Sequence, residues 1–180
     1  MDNDDIRKKI KELRKSFPKK TLKELSEKIF KNVKTLDIKD KQNIFIYKSF
    51  NGEVETESII EHFLSENKTL SFPVIKGEIM VAGIPIGEDK IRSKFGTLEP
   101  KNYIVMNKVD VCFLPLLACD LEFNRLGYGK GYYDKFLKDK ECLKIGLCYD
   151  FQVVEKIESN PWDVPLDIII TETKIIKREK

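Results

Sequence analysis

The chain has 180 residues, of which 33 are lysine or arginine and 30 are aspartate or glutamate, giving a net charge of +3. A chain of this length can bury its own hydrophobic core without disulfides or metal staples, so residues 1–180 are predicted to form a single domain. The balanced charge argues against a polycationic nucleic-acid-binding protein, and no apolar stretch is long enough to cross a bilayer.

The first part of the chain is predicted to be helical. Residues 4–17 repeat apolar side chains with helical spacing and are expected to form an amphipathic helix that Pro18 ends. Thr21 and Glu24 match a capping box, which predicts that a second helix begins there. The period then changes, and residues 43–50 are predicted to be a strand.

A helix and two strands are predicted next. Thr56 is a plausible cap for a helix through Leu64, and strands follow at about 69–75 and 78–84. Residues 86–108 contain turn-forming glycine and proline and are expected to be irregular.

The remainder alternates strands with loops and a helix. Residues 109–114 form a short apolar run typical of a buried parallel strand. A glycine-rich loop and a helix through Leu137 follow, and further strands are predicted near 143–148 and 166–171. This alternation favours an α/β fold, with a three-layer α/β/α domain and a largely parallel central sheet. In such folds ligands gather outside the carboxyl ends of the strands.

The cysteines and the single histidine indicate little metal chemistry of their own. The four cysteines have no Cys-x-x-Cys spacing, and one histidine leaves little material for a zinc site. Cys112 and Cys148 lie in apolar runs and are predicted to be buried thiols. Together with an acidic start unlike a targeting sequence, this favours a cytoplasmic protein. His62 is expected to be a surface or packed helix residue rather than an acid or base.

The most informative segment is residues 125–134, Arg-Leu-Gly-Tyr-Gly-Lys-Gly-Tyr-Tyr-Asp. Its three alternate glycines leave a backbone edge without side chains, whose N–H groups can turn toward an anion. Arg125 and Lys130 add positive charge, and Asp134 adds a carboxylate able to hold Mg²⁺. Flat surfaces for a planar ring come from Tyr128, Tyr132 and Tyr133. Phosphate, magnesium and a heterocycle are therefore candidate ligands, and a purely structural turn is the alternative.

The order of these glycines fits neither a P-loop nor the Rossmann fingerprint. The segment resembles, nearly letter for letter, the Arg-Leu-Gly-x-Gly-x-Gly-Tyr-Tyr-Asp signature of the 5-formyltetrahydrofolate cyclo-ligase family. Those enzymes use ATP and Mg²⁺ to close 5-formyltetrahydrofolate into 5,10-methenyltetrahydrofolate. The resemblance implies the same activity here, with Mg²⁺ as cofactor, ATP as co-substrate, and phosphorylation of the formyl oxygen before N10 attacks.

The resemblance covers most of the chain, in the same order as in the family. Residues 3–7 are similar to the family's Lys-x-x-Leu-Arg opening, in which Arg7 matches and Asn3 stands in place of the lysine. Arg125 and Lys130 are the residues to which it assigns a catalytic role on the phosphates. The residues that it implies for ATP binding are Asn3, Asp4, Asp5, Ile6, Arg7, Arg125, Leu126, Gly127, Tyr128, Gly129, Lys130, Gly131, Tyr132 and Tyr133.

Two further segments are similar to the family's folate-binding parts. Residues 47–56 imply substrate contacts at Tyr47, Lys48 and Glu53. A carboxylate at Glu53 can accept two hydrogen bonds from the aminopyrimidinone edge of a pterin, and the alternative is an exposed surface acid. Residues 95–100 are similar to Phe-Gly-x-x-Glu-Pro, so that Phe95 is expected to wall the folate pocket or else to belong to the core.

Besides Asn3, the chain departs from the family pattern at three places. Leu116 and Phe123 stand where the family usually has glycine, which makes the approach to the loop bulkier. Trp162 replaces the usual histidine, so that histidine is not expected to be essential to the chemistry. Asp163 aligns with a residue implicated in magnesium binding, and the expected metal ligands are therefore Asp134 and Asp163.

Small-molecule substrates, ATP and the folate, are the expected partners, with no nucleic acid and no membrane, in a monomer or homodimer. Two other interpretations of the function stay open from the residues alone. One is an α/β enzyme acting on a phosphorylated metabolite, such as a sugar-phosphate isomerase, which ATP dependence would distinguish. The other is a binding module for RNA that uses the basic chain ends and exposed tyrosines, which a steep salt dependence would reveal.

Overall fold

The structure, a computed structural model that describes residues 1–179, is built around an eight-stranded sheet. Its helices are α1 (Asn3–Ser16), α2 (Lys19–Lys34), α3 (Glu57–Ser65) and α4 (Tyr132–Leu137), with a 3₁₀ turn at Asp150–Gln152. Its strands are β1 (Asn43–Ile46), β2 (Thr69–Lys76), β3 (Ile79–Pro85), β4 (Lys90–Arg92), β5 (Leu98–Pro100), β6 (Tyr103–Val105), β7 (Val111–Leu114), β8 (Ala118–Cys119), β9 (Arg125–Leu126), β10 (Leu143–Leu147), β11 (Ile168–Ile170) and β12 (Ile175–Lys177).

The large sheet has the strand order β12-β11-β10-β7-β1-β2-β3-β6. The five strands from β11 to β2 are parallel to one another, whereas β12, β3 and β6 pair antiparallel at the two edges. The predicted α/β fold with a largely parallel sheet is therefore confirmed. Two small hairpins, β4-β5 and β8-β9, lie outside the sheet.

The alternation of side chains along the parallel strands produces two cores, one on each face of the sheet. On β1, Ile44 and Ile46 pack in a cluster with α2 and α3, while Phe45 packs on the opposite face with Phe136 and Leu137 of α4. The second helical layer thus consists of one short helix. Helix α1 packs instead against the β8-β9 hairpin, through a third cluster that includes Ile6.

Several boundaries differ from the sequence prediction. The capping box at Thr21 is wrong: α2 begins at Lys19, directly after Pro18, and has no side-chain cap. Phe17 ends α1 in an extended conformation, and the carbonyl of Pro18 accepts the first intrahelical hydrogen bond of α2 from the N–H of Leu22 at 3.2 Å. The region 86–108 was expected to be irregular but contains the three short strands β4, β5 and β6.

Strand β1 ends earlier than predicted because the chain is held in another direction after Ile46. The Tyr47 hydroxyl donates to the carbonyl of Val54 at 2.8 Å, and the Thr56 hydroxyl donates to the carbonyl of Tyr47 at 2.8 Å. Thr56 is the residue before α3, as predicted, but its side chain serves this loop instead of capping the helix. These bonds fold residues 47–56 back beside the end of β1.

The remaining expectations about packing are met. Cys112 and Cys148 are fully buried thiols. His62 of α3 packs edge-on to Phe30 of α2, and the Nε2 atom of His62 lies 2.8 Å from Glu66 Oε1. No helix of residues 1–179 combines the length and the apolar composition needed to span a membrane.

Candidate functional site

A cavity of about 850 Å³ lies past the carboxyl ends of the neighbouring parallel strands β1 and β7. Tyr47 and Lys48 follow β1, Pro115 follows β7, and all three line it. The glycine-rich loop, the first turn of α4 and the hairpin β2-β3 supply further walls. A cavity of this size suits small-molecule ligands, and the carboxyl edge of a parallel sheet is where α/β folds bind them.

The structure brings nearly all the predicted site residues to this one cavity. Asp4, Asp5 and Ile6 are the exceptions, although the ATP-binding prediction included them. Ile6 is buried in the cluster beneath α1, Asp4 pairs with Arg7 at 2.7 Å, and the backbone N–H of Asp5 is taken up by the capping Asp2 carboxylate. The predicted residues that line the cavity are Asn3, Arg7, Tyr47, Lys48, Glu53, Phe95, Arg125, Leu126, Gly127, Tyr128, Gly129, Lys130, Gly131, Tyr132, Tyr133, Asp134 and Asp163.

The glycine-rich loop has the backbone that its sequence predicted. Gly129 and Gly131 have φ angles of +91° and +72°, a left-handed region that side-chain-bearing residues rarely adopt. Gly131 is also the residue from which α4 begins. The Arg7 guanidinium donates from Nε to the carbonyl of Gly127 at 2.9 Å and so joins α1 to the loop.

Arg125 is a fixed positive charge in the cavity wall. Its side chain is only 5% exposed, its Nη1 donates to the carbonyl of Pro115 at 3.3 Å, and its Nη2 lies 3.7 Å from Asp134 Oδ1. The guanidinium also lies over the ring of Tyr133, 5.2 Å from the centroid. Burial lowers the pKa of Arg125, and the negative charges of Asp134 and Asp163 oppose this change. Arginine remains protonated in such surroundings, so the site keeps this charge.

Asp134 and Asp163 line the same cavity although they are far apart in sequence. Each already accepts one backbone N–H: Asp134 Oδ1 from Val164 at 3.1 Å, and Asp163 Oδ2 from Asn160 at 2.8 Å. Within residues 1–179, no group of three or more His, Cys, Asp or Glu side chains could hold a metal. The chain itself therefore offers two carboxylates. That suits Mg²⁺, which proteins often bind through one or two carboxylates together with substrate phosphates and water.

Glu53 is a buried acid in the wall of the cavity. It is 9% exposed, so the alternative of an exposed surface acid is wrong. Its Oε1 accepts from the backbone N–H of Phe50 at 2.8 Å. Burial raises the pKa of Glu53 to about 7, while the charge of Arg14 and the Phe50 hydrogen bond oppose the increase. A carboxyl group poised near neutral pH inside a cavity is typical of a functional residue.

Lys48 and Phe95 are two further residues that were predicted to contact the folate. The ammonium of Lys48 lies 4.8 Å from the ring centroid of Phe72. Burial, together with the nearby charge of Lys90, lowers the pKa of Lys48 to about 8. Phe95 is 41% exposed and meets the ring of Tyr132 edge-on at 5.6 Å, so the alternative of a core residue is wrong.

Two residues of the site were not singled out from the sequence. Glu99 is a buried acid in the cavity wall, and its Oε2 accepts from the backbone N–H of Ile75 at 2.9 Å. Arg14 is buried on α1 behind the cavity and donates to the hydroxyl of Tyr128 at 2.7 Å. Its position on the same helical stripe as Ile6 and Ile10 was the available signal, because a charge on an apolar stripe needs a partner.

The departures from the family pattern have visible structural consequences. Asn3, which stands in place of a lysine, holds the backbone of Glu158 through two hydrogen bonds, of 2.8 and 3.1 Å. Phe123 has a φ of +68°, a conformation suited to the glycine that the family usually has there. Trp162 is 68% exposed at the edge of the cavity.

Comparisons with known proteins show which family the chain resembles. Residues 1–172 match the model of the 5-formyltetrahydrofolate cyclo-ligase family. A 5-formyltetrahydrofolate cyclo-ligase of Haemophilus influenzae is 36% identical over 141 residues, covering 72% of this chain and 75% of the relative. That of Mycoplasma genitalium is 38% identical over 132 residues, covering 72% of each. The solved Aquifex aeolicus 5,10-methenyltetrahydrofolate synthetase superimposes with a TM-score of 0.87 at 33% identity, covering 98% of this chain and 93% of that one.

Proposed function

Because this chain belongs to the 5-formyltetrahydrofolate cyclo-ligase family, we propose that it closes 5-formyltetrahydrofolate into 5,10-methenyltetrahydrofolate at the expense of ATP in the cavity described above. The observation that carries this proposal is that one cavity is lined by two chemically different groups of residues, which we call its two walls. One wall has the glycine-rich loop with Arg125 and Lys130, and the other has the buried acid Glu53 with Lys48. The first suits a polyphosphate and the second suits a pterin with an acidic tail.

The reaction needs ATP because the formyl group on N5 is an amide-like carbonyl with a poor leaving group. Transfer of the γ-phosphoryl group to the formyl oxygen releases ADP and turns that oxygen into part of a phosphate ester. N10 then attacks the formyl carbon, the carbon–oxygen bond breaks, phosphate departs and N10 gives up its proton. The protein's share is mainly positioning and neutralisation of charge, as in other phosphoryl transfers.

The nucleotide is assigned to the wall formed by α1 and the glycine-rich loop. The buried guanidinium of Arg125 supplies a fixed charge, and the exposed Lys130 lies in the loop, with no ion-pair partner within residues 1–179. Arg7 joins this wall from α1. Positive charge held at the transferring phosphate is the interaction that lowers the barrier in such reactions.

Magnesium is assigned to Asp134 and Asp163, whose carboxylates line the cavity on the same side as Arg125. When bound there, Mg²⁺ would supply charge neutralisation on the phosphates. Each carboxylate has one oxygen engaged by a backbone N–H, which fixes its orientation and leaves the other oxygen available.

The folate is assigned to the wall that contains Glu53, Lys48, Tyr47 and Phe95. Glu53 would accept hydrogen bonds from the aminopyrimidinone edge, and the exposed ring of Phe95 would cover the pterin. Lys48 and its neighbour Lys90 form a positive edge for the carboxylates of the glutamate moiety. The Tyr47 hydroxyl is engaged with Val54, so Tyr47 would contribute its ring rather than a hydrogen bond.

The cavity is lined by residues of one chain, and a monomer or a homodimer is proposed. A cytoplasmic location is supported by the four cysteines, all buried and free.

A spectrophotometric omission assay tests the activity, since methenyltetrahydrofolate absorbs differently from 5-formyltetrahydrofolate. Purified protein is mixed with the folate, ATP and Mg²⁺, and each component is left out in turn. Product is expected only in the complete mixture, and Glu53→Gln is expected to need more folate for the same rate. Product formed without ATP, or no product in the complete mixture, would overturn the proposal.

A further inference from the structure

Arg14 is a buried cation that contacts the surroundings of both walls without lining the cavity. On the loop side, its Nη1 donates to the hydroxyl of Tyr128 at 2.7 Å. Its Nη2 donates to the carbonyl of Leu116 at 2.8 Å, just past the carboxyl end of β7. Since buried charges are costly unless they are paired and hydrogen-bonded, a guanidinium in this position indicates a specific role.

On the folate side, the aliphatic part of Arg14 supports the turn that precedes Glu53. A Cβ placed on Gly52 would lie 3.5 Å from Arg14 Cδ, so the turn packs closely on the arginine stem. Gly52 has a φ of +80°, which fixes the direction in which the chain enters Glu53. The Arg14 side chain therefore makes two contacts. Its guanidinium holds Tyr128 of the glycine-rich loop, and its aliphatic stem packs on the turn at Gly52 that precedes Glu53.

We propose that Arg14 is a positioning residue that couples the two walls of the active site: its guanidinium holds Tyr128 for the nucleotide, and its aliphatic stem supports the turn that places Glu53 for the folate. This inference rests on the assignment of those two walls in the proposed function. Arg14 takes no part in bond making, because it does not line the cavity.

Because the turn that Arg14 supports leads into Glu53, the titration of Glu53 reports on the nearby charge of Arg14. The titratable groups that face Glu53 are Arg14 of α1, Tyr47 after β1, Tyr128 of the loop and Tyr133 of α4. Burial raises the pKa of all three tyrosines, so they stay neutral near pH 7. Arg14 is thus the cation that opposes the effect of burial on Glu53, and its removal should raise the pKa of Glu53 further.

Three variants separate the charge of Arg14 from its hydrogen bonds. Arg14→Lys keeps the positive charge but loses the planar guanidinium that makes two hydrogen bonds. Arg14→Gln loses both the charge and the guanidinium. Tyr128→Phe loses only the hydroxyl that accepts one of these hydrogen bonds. The Glu53 carboxyl is titrated by carbon-13 NMR in the free protein, with Glu53→Gln identifying its signal. Affinities for 5-formyltetrahydrofolate and for a non-hydrolysable ATP analogue with Mg²⁺ are measured by calorimetry on the same proteins.

The titration midpoint of Glu53 should rise by about one pH unit or more in Arg14→Gln and stay near the wild-type value in Arg14→Lys and Tyr128→Phe. Nucleotide affinity should fall roughly tenfold in Arg14→Lys and in Tyr128→Phe, because Tyr128 is no longer held in place and its ordering must accompany binding. A residue that merely stabilises the fold would weaken both ligands together and leave the midpoint where it is.

The coupling is refuted if the midpoint of Arg14→Gln equals that of the wild type, or if Arg14→Lys and Tyr128→Phe bind the nucleotide as the wild type does. Should Arg14→Gln fail to fold, Arg14→Met takes its place, because it also removes the charge while keeping an unbranched side chain: a raised midpoint supports the proposal and an unchanged one refutes it. Failure of the wall assignment looks different: Glu53→Gln would then leave folate affinity unchanged in the otherwise wild-type protein.

Discussion

Replacing Asp134 by asparagine tests the magnesium assignment while conserving the shape of the side chain. The asparagine Oδ1 can still accept from the backbone N–H of Val164, the hydrogen bond that Asp134 accepts at 3.1 Å. What is lost is one negative charge beside the phosphate wall. Loss of a single charge contact that stabilises a transition state typically costs about 10²–10³ in rate, so kcat should fall by that factor.

The cost of the same substitution to folding should be small. Asp134 Oδ1 lies 3.7 Å from Arg125 Nη2, and the aspartate side chain is 22% exposed. A Coulomb interaction across such a distance is worth about 1 kcal/mol in water and about 4 kcal/mol near a protein surface. The partial exposure of the aspartate places the loss toward the lower value, about 1–2 kcal/mol after screening, within the roughly 5–15 kcal/mol of a typical domain.

The assay follows methenyltetrahydrofolate absorbance at saturating ATP and folate, with a Mg²⁺ titration for each variant. Asp139→Asn is the matched control, since Asp139 is an exposed aspartate just after α4 that does not line the cavity. It should retain full activity. Near-normal kcat and unchanged Mg²⁺ dependence in a folded Asp134→Asn protein would refute the metal assignment.

Three further predictions concern the two walls, the buried acid and the sheet. Glu53→Gln should weaken folate binding and leave nucleotide binding unchanged, and Lys130→Ala should do the reverse. Calorimetry with each ligand alone checks this prediction. Equal loss of both ligands in both folded variants would contradict it. The pKa of Glu53 is raised from 4.5 to about 7, so the folded state retains a proton that the unfolded chain releases. The unfolding free energy of the wild type, relative to Glu53→Gln, should therefore fall by about 3 kcal/mol as pH rises from 4.5 to 7. If denaturant titrations show the same difference in unfolding free energy between the two proteins at every pH, the assignment of Glu53 as a buried acid is contradicted. Gly146→Ala should destabilise the protein by about 1–3 kcal/mol, because its Cβ would lie 2.7 Å from Leu166 Cδ1; an unchanged denaturation midpoint would argue against this packing.

Features that depend on local backbone chemistry could be predicted from the sequence. The positive φ angles of Gly129 and Gly131 follow from a glycine-rich turn before a helix, and the structure has both. The apolar run 109–114 predicted a buried parallel strand, and β7 forms over its last four residues. Here the local signal and the tertiary context point the same way.

Features that depend on distant partners could not be predicted. Strand β1 was expected to run to Phe50, but hydrogen bonds made by Tyr47 and Thr56 turn the chain earlier. The burial of Glu53 depends on α1 and on tyrosines more than 70 residues away, and a lone acid after a turn gives no sign of that. The sequence does not mark Arg14 as a buried residue because charged helix residues are usually solvated, and only the fold reveals its acceptors.

The central claim, that ATP phosphorylates the formyl oxygen directly, is tested by isotope transfer. The formyl group of 5-formyltetrahydrofolate is labelled with heavy oxygen and converted to product with ATP and Mg²⁺, and the released phosphate is examined by mass spectrometry. One labelled oxygen per turnover should appear in inorganic phosphate, because the formyl oxygen leaves as part of it. Label recovered only in water would contradict the account, since the formyl oxygen would then never have been bonded to phosphorus.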